Sequence, residues 1–298
     1  MPRTVTVGVD GSPESLAAAL WAAREAERRG LPLRLVHAWD WQPYAQPVPD
    51  GAAHRHWGEH VLREAAEQLR ESHPDLRITW EHVAQPPVTA LLSASAEADP
   101  LVLGSRGLSG VVGFLVGSVG LALAARTRRP VVLVRSDARA EGERQLDADG
   151  RPSTQTPYRD VVLGLDHKRP DDAVVAFAFE AAASRAARLR VVHGWSLPPY
   201  FAYGLPADPA LNDELARQET NAVEEALAPW REKFPGVEVV EQTAVGNAGA
   251  HLVDAAADAS LVVVGRRIRQ SPLGARIGPV THAVLHHATA PVAVVPHD

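Results

Sequence analysis

The chain contains two copies of one sequence pattern. Val7-Gly8-Val9-Asp10 returns 156 residues later as Leu163-Gly164-Leu165-Asp166. The segment 33–39 returns at the same offset as 189–195, with five of seven residues identical. Farther along, at an offset of 161, Gly104, Gly117 and Pro130-Val131 match Gly265, Gly278 and Pro291-Val292. Four landmarks in the same order indicate a tandem duplication of a unit of about 140 residues.

Short apolar runs alternate with amphipathic stretches in each copy. In the first copy, the run 4–9 precedes Ser12-Pro13, a helix-start signal, and that helix is expected to end at Gly30. The alternation predicts an α/β fold: two tandem Rossmann-like domains, each a five-stranded parallel sheet of order 3-2-1-4-5 with helices on both faces. In this order strands one and four are neighbours, so Asp10 and Gly104 are expected to meet where ligands bind such sheets.

The composition of the segment between the two copies indicates where the domains end and begin. We place the first domain at residues 1–137 and the second at residues 158–298. Leu146 is the only large apolar residue of the intervening segment 138–157, which is therefore predicted to be a flexible linker. The last strand of each copy, Val131–Val134 or Val292–Val295, is expected at an apolar sheet edge, which favours strand pairing.

Composition also excludes several classes of function. The chain has no cysteine, which excludes disulfides and thiolate chemistry. Its net charge of −6 provides no basic field for nucleic acid. The longest apolar run, 110–125, holds four glycines and is shorter than the roughly 20 residues of a membrane helix. The first residues lack the pattern of a signal peptide. We therefore expect a cytoplasmic protein that binds neither nucleic acid nor membranes.

Glycine is concentrated in one loop of the first copy. Six of the 22 glycines lie between positions 104 and 120, from a strand end to a helix start. The N-terminus of a helix offers unpaired N–H groups and the positive end of the dipole, so this arrangement favours phosphate binding, with the hydroxyl of Ser118 as a further donor at the cap. A Walker loop is excluded, because neither of the two lysines, Lys168 and Lys233, follows a glycine. The alternative interpretation is a loop whose glycines only allow tight packing.

The spacing Gly-x2-Gly-x9-Gly-Ser, together with an Asp at the end of the first strand, resembles the ATP-binding universal stress proteins, and it covers both halves of the chain. The resemblance implies that ATP binds with Mg²⁺ in the first copy. It assigns Val9 and Asp10 to the ribose and adenine and Ala38 to the adenine pocket. It assigns the ribose and phosphates to the glycine loop, through Gly104, Arg106, Gly107, Gly117, Ser118 and Val119. A helix-capping role for Asp10 stays open.

The resemblance also implies what the protein does. It implies a nucleotide-dependent regulatory protein of the stress response, in which the two halves pair through their edge strands and two chains form a homodimer. The alternatives are a slow ATPase or nucleotidyl-transfer enzyme of the same Rossmann-like group, or an electron-transfer flavoprotein-like module. We predict no catalytic residue, since neither loop has a nearby lysine or an evident acid–base pair.

The second copy departs from the motif. Ile268 and Pro279 stand where the first copy has Gly107 and Ser118. A β-branched residue at positive φ costs about 1–3 kcal/mol, so this loop is expected to follow another path. Proline removes one N–H and the hydroxyl, although it fits the first turn of a helix. The copy is therefore predicted to hold only a weak second site, made by Asp166, Gly265, Arg266 and Gly278.

The histidines carry no predicted site. His54, His56 and His60 have suggestive spacing, as do His282, His286 and His287, but no cysteine or clear carboxylate pattern accompanies them. His37 and His193 end equivalent strands and are interpreted as packed core side chains. No metal site is predicted.

Overall fold

The computed structural model describes residues 3–39, 51–105, 116–196, 209–268 and 277–298. It divides the chain into two compact units whose main boundary falls between Ala140 and Glu141. We refer to residues 1–137 as the N-terminal half and to residues 158–298 as the C-terminal half. Among the described residues, no helix combines the length and apolar character needed to cross a membrane.

Each half is a five-stranded parallel sheet with helices on both faces. The strands of the N-terminal half are β1 (Thr4–Gly8), β2 (Leu33–Ala38), β3 (Ile78–Val83), β4 (Ala98–Ser105) and β5 (Val131–Arg135). Its helices are α1 (Pro13–Arg29), α2 (Gly51–Ser72), α3 (Pro87–Ser95) and α4 (Ser118–Arg126). The strand order is β3-β2-β1-β4-β5, with α1 and α2 packed against one another and α3 against α4.

The C-terminal half repeats this topology. Its strands are β6 (Asp160–Gly164), β7 (Leu189–Trp195), β8 (Val239–Val245), β9 (Ala259–Arg267) and β10 (Val292–His297). Its helices are α5 (Asp172–Arg185), α6 (Pro209–Lys233), α7 (Ala248–Ala256) and α8 (Pro279–His287). The order β8-β7-β6-β9-β10 is again 3-2-1-4-5, so the predicted fold class is confirmed for both halves.

Local sequence explains where α1 begins and ends. The Ser12 hydroxyl caps the helix by accepting a hydrogen bond from the Ser15 amide at 3.2 Å. Gly30 ends the helix at φ +61°, and its amide reaches back to the last turn. Between these caps the helix buries Trp21 completely against the sheet. The same helix in the C-terminal half, α5, begins three residues later relative to its strand, with Asp171 as its cap.

The segment 138–157 contains local structure that its composition did not suggest. A short 3₁₀ helix spans Ala140–Glu143, and the guanidinium carbon of Arg144 lies 3.9 Å from the centroid of the Tyr158 ring. The amide of Gln145 donates to the carbonyl of Pro157 at 2.9 Å. These contacts join residues distant in sequence, so apolar content alone could not reveal them.

Candidate functional site

The candidate site lies at the carboxyl edge of the N-terminal sheet, where β1 and β4 are neighbours. Val7 pairs with Val102 in parallel register. The chain leaves β1 toward β2 and leaves β4 toward β5, so the strand order reverses between β1 and β4, as at the ligand sites of other open α/β sheets. The ends of these strands bring Asp10 and Gly104 to the same edge, as the sequence predicted.

Asp10 holds the turn that starts α1. Its Oδ1 accepts hydrogen bonds from the amide of Ser12 at 3.0 Å and from the Ser12 hydroxyl at 2.5 Å. Ser12, not Asp10, is the cap of the helix. The carboxylate is exposed at the edge of the sheet. Between Asp10 and Ser12, Gly11 has φ +80°, a backbone conformation that residues other than glycine rarely adopt. Asp10 thus supports the cap and also faces solvent.

Close packing against the first turn of α1 requires a glycine at position 104. A Cβ at this position would lie 2.5 Å from the carbonyl carbon and oxygen of Glu14 and 2.8 Å from the amide nitrogen of Ser15. These are backbone atoms of the first turn of α1, and they cannot move aside as a side chain can. This glycine therefore lets α1 begin directly against β4.

The glycine at the start of α4, unlike Gly104, is not required by packing against the described residues. Gly117 is the N-cap of this helix at φ −58°. Among the described residues, which do not include 106–115, no side chain caps the helix, and a Cβ at Gly117 would meet no atom within 4 Å. Ser118 is the first helical residue, so its hydroxyl does not occupy the cap position that the sequence analysis gave it. The first N–H groups of a helix, here those of Ser118 and Val119, have no partner within the helix. The helix leads from the carboxyl end of β4 back to the start of β5, so these groups lie at the carboxyl edge of the sheet.

Two further predicted residues of this half, Val9 and Ala38, lie at the carboxyl ends of β1 and β2. Val9 is buried, with its amide bonded to the carbonyl of Val36 at 2.9 Å, and Ala38 is half-buried at the end of β2. Arg106 and Gly107 lie outside the described residues.

A ring cluster borders the same edge. His37 is 3% exposed, which confirms that it is a packed core side chain, and its Nδ1 lies 3.1 Å from Nδ1 of His82. Burial, and then the neighbouring His82, lower the pKa of His37, against the smaller opposing effect of Asp10. The Trp57 ring lies edge-on to His37 at 5.5 Å between centroids, and 51% of Trp57 is exposed.

At the equivalent edge of the C-terminal half, a threonine stands where the first half has a glycine. The hydroxyl of Thr281, in the first turn of α8, donates to the carbonyl of Gly265 at 2.9 Å, and Gly120 stands at its equivalent position. Gly278 is the N-cap of α8, and Pro279 follows as the first helical residue. Asp166 is exposed, and its Oδ1 accepts from the amide of Lys168 at 3.2 Å.

Arg266, which the sequence assigned to the weak second site, is only 5% exposed. β9 pairs with β10 up to its last residue: Arg266 pairs with Pro296 and Arg267 with His297. In the N-terminal half the last pair is Ser105 with Arg135, which corresponds to Arg266 with Pro296. The strand thus runs straight on toward Ile268.

The C-terminal half also contains a cluster of three side chains that was not predicted from the sequence. His167, His193 and Glu219 place their nitrogen and carboxylate oxygen atoms within 4.8 Å of one another. Burial, and then the neighbouring His193, lower the pKa of His167, while Glu219 opposes them. The residues come from a turn, a strand and a helix, and spacing along the chain could not connect them. The only available signal was that the second copy has a histidine where the first has Gly11.

Comparison with known proteins gives the family. The model of the universal stress protein family matches residues 1–135 and 157–296. A universal stress protein of Mycobacterium tuberculosis strain H37Rv is 32% identical over 299 residues, covering 97% of this chain and 96% of the relative. The crystal structure of a universal stress protein from Archaeoglobus fulgidus has the same fold, with a TM-score of 0.63 and 16% identity, covering 99% of this chain and 98% of that one. A universal stress protein solved in complex with cAMP matches 46% of this chain and 99% of its own, with 28% identity and a TM-score of 0.36. With both halves matched by the family model and a relative aligned along nearly its whole length, the chain belongs to the universal stress protein family.

Proposed function

We propose that the N-terminal half binds ATP and that nucleotide occupancy regulates the protein's interactions in the stress response. The observation that carries the proposal is the start of α4, where the described residues leave open space beside Gly117 and the next N–H groups have no partner within the helix. Such a helix start attracts phosphate through its amides and its dipole. It lies at the sheet edge where the strand order reverses, with the exposed carboxylate of Asp10 at the same edge.

Each residue would have a role that its chemistry fits. The Asp10 carboxylate would accept a hydrogen bond from a ribose hydroxyl, and Val9 and Ala38 would line the adenine pocket with apolar surface. The amides of Ser118 and Val119 would donate to phosphate oxygens, with the Ser118 hydroxyl beside them. Arg106 and Gly107 would complete the phosphate contacts. Gly104 would act indirectly, by allowing α1 and the Asp10 turn to lie against β4.

Mg²⁺ would accompany the triphosphate. Asp10 is the one carboxylate that the predicted residues at this edge supply, and it already accepts two hydrogen bonds from Ser12. Mg²⁺ is commonly held by one or two carboxylates, substrate phosphates and water. The residues present therefore fit an ion whose ligands come mostly from the phosphates and from water.

The two halves are proposed to differ in affinity. The weak second site would comprise Asp166, Gly265, Arg266 and Gly278. Pro279 has no amide hydrogen to donate, and Arg266 is buried. The Thr281 hydroxyl is already bonded to the carbonyl of Gly265. Two donors of the N-terminal site are thus missing in the second half, and a buried guanidinium does not replace them.

Exchanging the residues that differ tests this proposal in the full chain. Ser118→Pro gives α4 the residue that begins α8, so the helix is retained while one amide donor and the hydroxyl are lost. We expect calorimetric titration to give one strong ATP site per chain, weakened at least about 100-fold in this variant, since two donors are lost and each hydrogen bond to a charged group contributes about 1.5–3 kcal/mol. Pro279→Ser is the matched control and should leave the strong site unchanged.

The titration includes AMP and cAMP as further arms, so that the nucleotide class is measured directly. Two equal ATP sites, or unchanged binding in Ser118→Pro, would refute an N-terminal site built on α4. A steady-state assay of phosphate release separates a binding protein from a slow ATPase. Sustained turnover that is lost in Ser118→Pro would favour the enzyme.

Association of two chains remains a prediction of the resemblance. The pairing of the halves through β5 and β10 and the homodimer both follow from it. Size-exclusion chromatography with light scattering measures the mass in solution. We expect twice the 31.9 kDa of one chain, and a monomer at micromolar concentration would contradict the prediction.

A further inference from the structure

The C-terminal half gathers three metal-binding side chains at the carboxyl edge of its sheet. His167 lies in the turn after β6, His193 in β7 and Glu219 in α6. They form the only group of three such residues with converging ligand atoms that was found in the described part of the chain. All three side chains are largely buried.

Local structure explains why His167 reaches this position. The segments from Asp10 to Gly30 and from Asp166 to Ala186 have equal length, yet α5 begins three residues later in its segment than α1 does. Those residues form a turn instead, in which the Arg169 amide donates to the Asp166 carbonyl at 3.0 Å. Pro170, which cannot donate from its nitrogen, precedes the capping Asp171. The turn carries His167 next to His193.

His193 is oriented as a ligand. Its Nδ1 lies 2.9 Å from the carbonyl oxygen of Leu165, and because a carbonyl oxygen only accepts, Nδ1 carries the hydrogen. In the neutral ring Nε2 is then an acceptor. A backbone carbonyl that holds one ring nitrogen while the other faces the ion is the usual support of a metal-bound histidine.

Nε2 of His193, itself an acceptor, faces the carboxylate of Glu219, which is also an acceptor. It lies 3.1 Å from Oε2 of Glu219 and 3.2 Å from Nδ1 of His167. A lone pair and a carboxylate oxygen at this separation, in a largely buried site, require a proton or a cation between them. The two explanations differ in chemistry, and experiment can separate them.

The separation of His193 and Glu219 fits a tetrahedral ion. Zinc bonds of about 2.0–2.2 Å place tetrahedral ligand atoms about 3.3 Å apart, and Nε2 of His193 lies 3.1 Å from Oε2 of Glu219. His167 turns Nδ1 toward His193 at 3.2 Å and Nε2 toward Glu219 at 3.5 Å. Since one ring supplies one ligand atom, and the three ligand atoms lie within 4.8 Å of one another, the His167 ring must shift to complete the set. Two imidazoles with a carboxylate form a recognised set of three protein ligands for zinc, which leaves the fourth position open.

The carboxylate is held in place from α6. The hydroxyl of Thr220, the next residue of the helix, lies 2.8 Å from the hydroxyl of Thr243 in β8. This bond fixes the helix against the sheet beside Glu219. The amine of Lys168 lies 3.9 Å from Oε1 of Glu219, and it is mostly exposed. It can therefore leave when a cation takes the carboxylate.

Within its described residues, the N-terminal half has no equivalent arrangement, which makes it an internal comparison. At the offset of 161, Glu219 corresponds to Gly58 and Thr243 to His82. A Cβ at Gly58 would lie 2.6 Å from Nδ1 of His82, so a glutamate does not fit there in this structure. His37 instead contacts His82, and a carboxylate from α2 is missing.

We propose that His167, His193 and Glu219 bind a divalent transition-metal ion of the Zn²⁺ type, a site separate from the nucleotide site of the N-terminal half. The ion would take the place of the proton between Nε2 of His193 and the Glu219 carboxylate. Its fourth ligand would be water or a group from another molecule. The inference does not depend on nucleotide binding.

The test uses the untagged full chain, stripped of metal with a chelator and kept free of nucleotide. ZnCl₂ is titrated in competition with a chromophoric chelator, and elemental analysis gives the stoichiometry. Co²⁺ serves as a spectroscopic probe, because four-coordinate Co²⁺ absorbs visible light much more strongly than the six-coordinate ion. We expect one Zn²⁺ per chain and an intense Co²⁺ spectrum.

Variants locate the ion. Glu219→Gln keeps the size of the side chain, and His167 lies in a surface turn, so His167→Ala should also fold. Each should weaken Zn²⁺ binding at least about 100-fold, since loss of a supporting residue alone costs 10–100-fold. His282→Ala removes an exposed histidine from the His282–His286 pair on α8, whose ring centroids are 4.3 Å apart, and it should leave binding unchanged.

Several outcomes would overturn the proposal. They are the absence of stoichiometric Zn²⁺ in the parent chain, unchanged affinity in Glu219→Gln, or loss of binding in His282→Ala. In the first case a shared proton explains the cluster. Circular dichroism of each metal-free variant verifies that it is folded, and the Co²⁺ spectrum of the parent chain tests the site without any substitution.

Discussion

Gly104→Ala tests whether the first glycine of the motif is required by packing. The added methyl would lie 2.5 Å from the carbonyl of Glu14 and 2.8 Å from the amide of Ser15, whereas carbon atoms in contact prefer about 3.5–4.0 Å. The first turn of α1 must therefore shift by about 1 Å. Such overpacking typically costs about 1–3 kcal/mol of unfolding free energy. The N-terminal half should lose about 3–12 °C in Tm, at about 3–4 °C per kcal/mol for a unit of this size.

Gly265→Ala is the matched control in the C-terminal half. Its methyl would meet the ring of His297 at 3.0 Å and Cγ2 of Val174 at 3.3 Å, which are outer atoms of side chains. These can move by a few tenths of an ångström, so we expect a cost below about 1 kcal/mol. The two substitutions add the same methyl at equivalent positions, and only the surroundings differ.

Differential scanning calorimetry of the full chain measures both variants. Two domains can unfold in separate transitions, so each heat-capacity peak is followed by itself. The same shift in α1 moves the turn of Asp10 and Ser12, and ATP binding should weaken in Gly104→Ala. An unchanged Tm in Gly104→Ala, or a larger loss in Gly265→Ala, would refute the packing argument.

Further predictions concern caps, ion pairs and pH. Ala186 ends α5 at φ +48°, where Gly30 stands in α1, so Ala186→Gly should raise the unfolding free energy by about 1 kcal/mol in urea denaturation, and a loss would contradict this. Asp160 is buried, with Oδ1 3.0 Å from Nε of Arg188; Asp160→Asn should cost about 1.5–3 kcal/mol in the same assay, and an unchanged midpoint would count against it. The lowered pKa of His37 means that the folded state resists protonation, so stability should be full above the ordinary pKa of 6.5 and should decrease as the pH falls below it. Urea midpoints across that range measure this, and replacing His37 by Gln should reduce the slope.

Features set by local signals could be predicted from the sequence. Ser12, Pro13 and Gly30 define α1 because capping depends on neighbouring residues. A helix start was expected at the end of the glycine loop, and α4 begins there, at Ser118. Strand order followed from the alternation of elements and the handedness of their connections, and the structure and the family comparison bear out the fold class.

Features set by distant contacts could not be predicted. The burial of Arg266 is set by the folded chain around it, which its place in the motif does not reveal. The cluster of His167, His193 and Glu219 joins three elements whose side chains meet only in the folded chain. The contacts proposed for the nucleotide remain predictions.

The delayed start of α5 shows how one half could change without disturbing its core. The segments from Asp10 to Gly30 and from Asp166 to Ala186 have equal length, so the rest of α5 keeps the same residue positions as α1. Trp21 of α1 and Phe177 of α5, at equivalent positions, are both buried. The first turn of this helix can therefore be exchanged for a loop while the buried face stays the same. After a duplication, such a segment is a place where mutations can give one copy a new surface chemistry at little cost in stability.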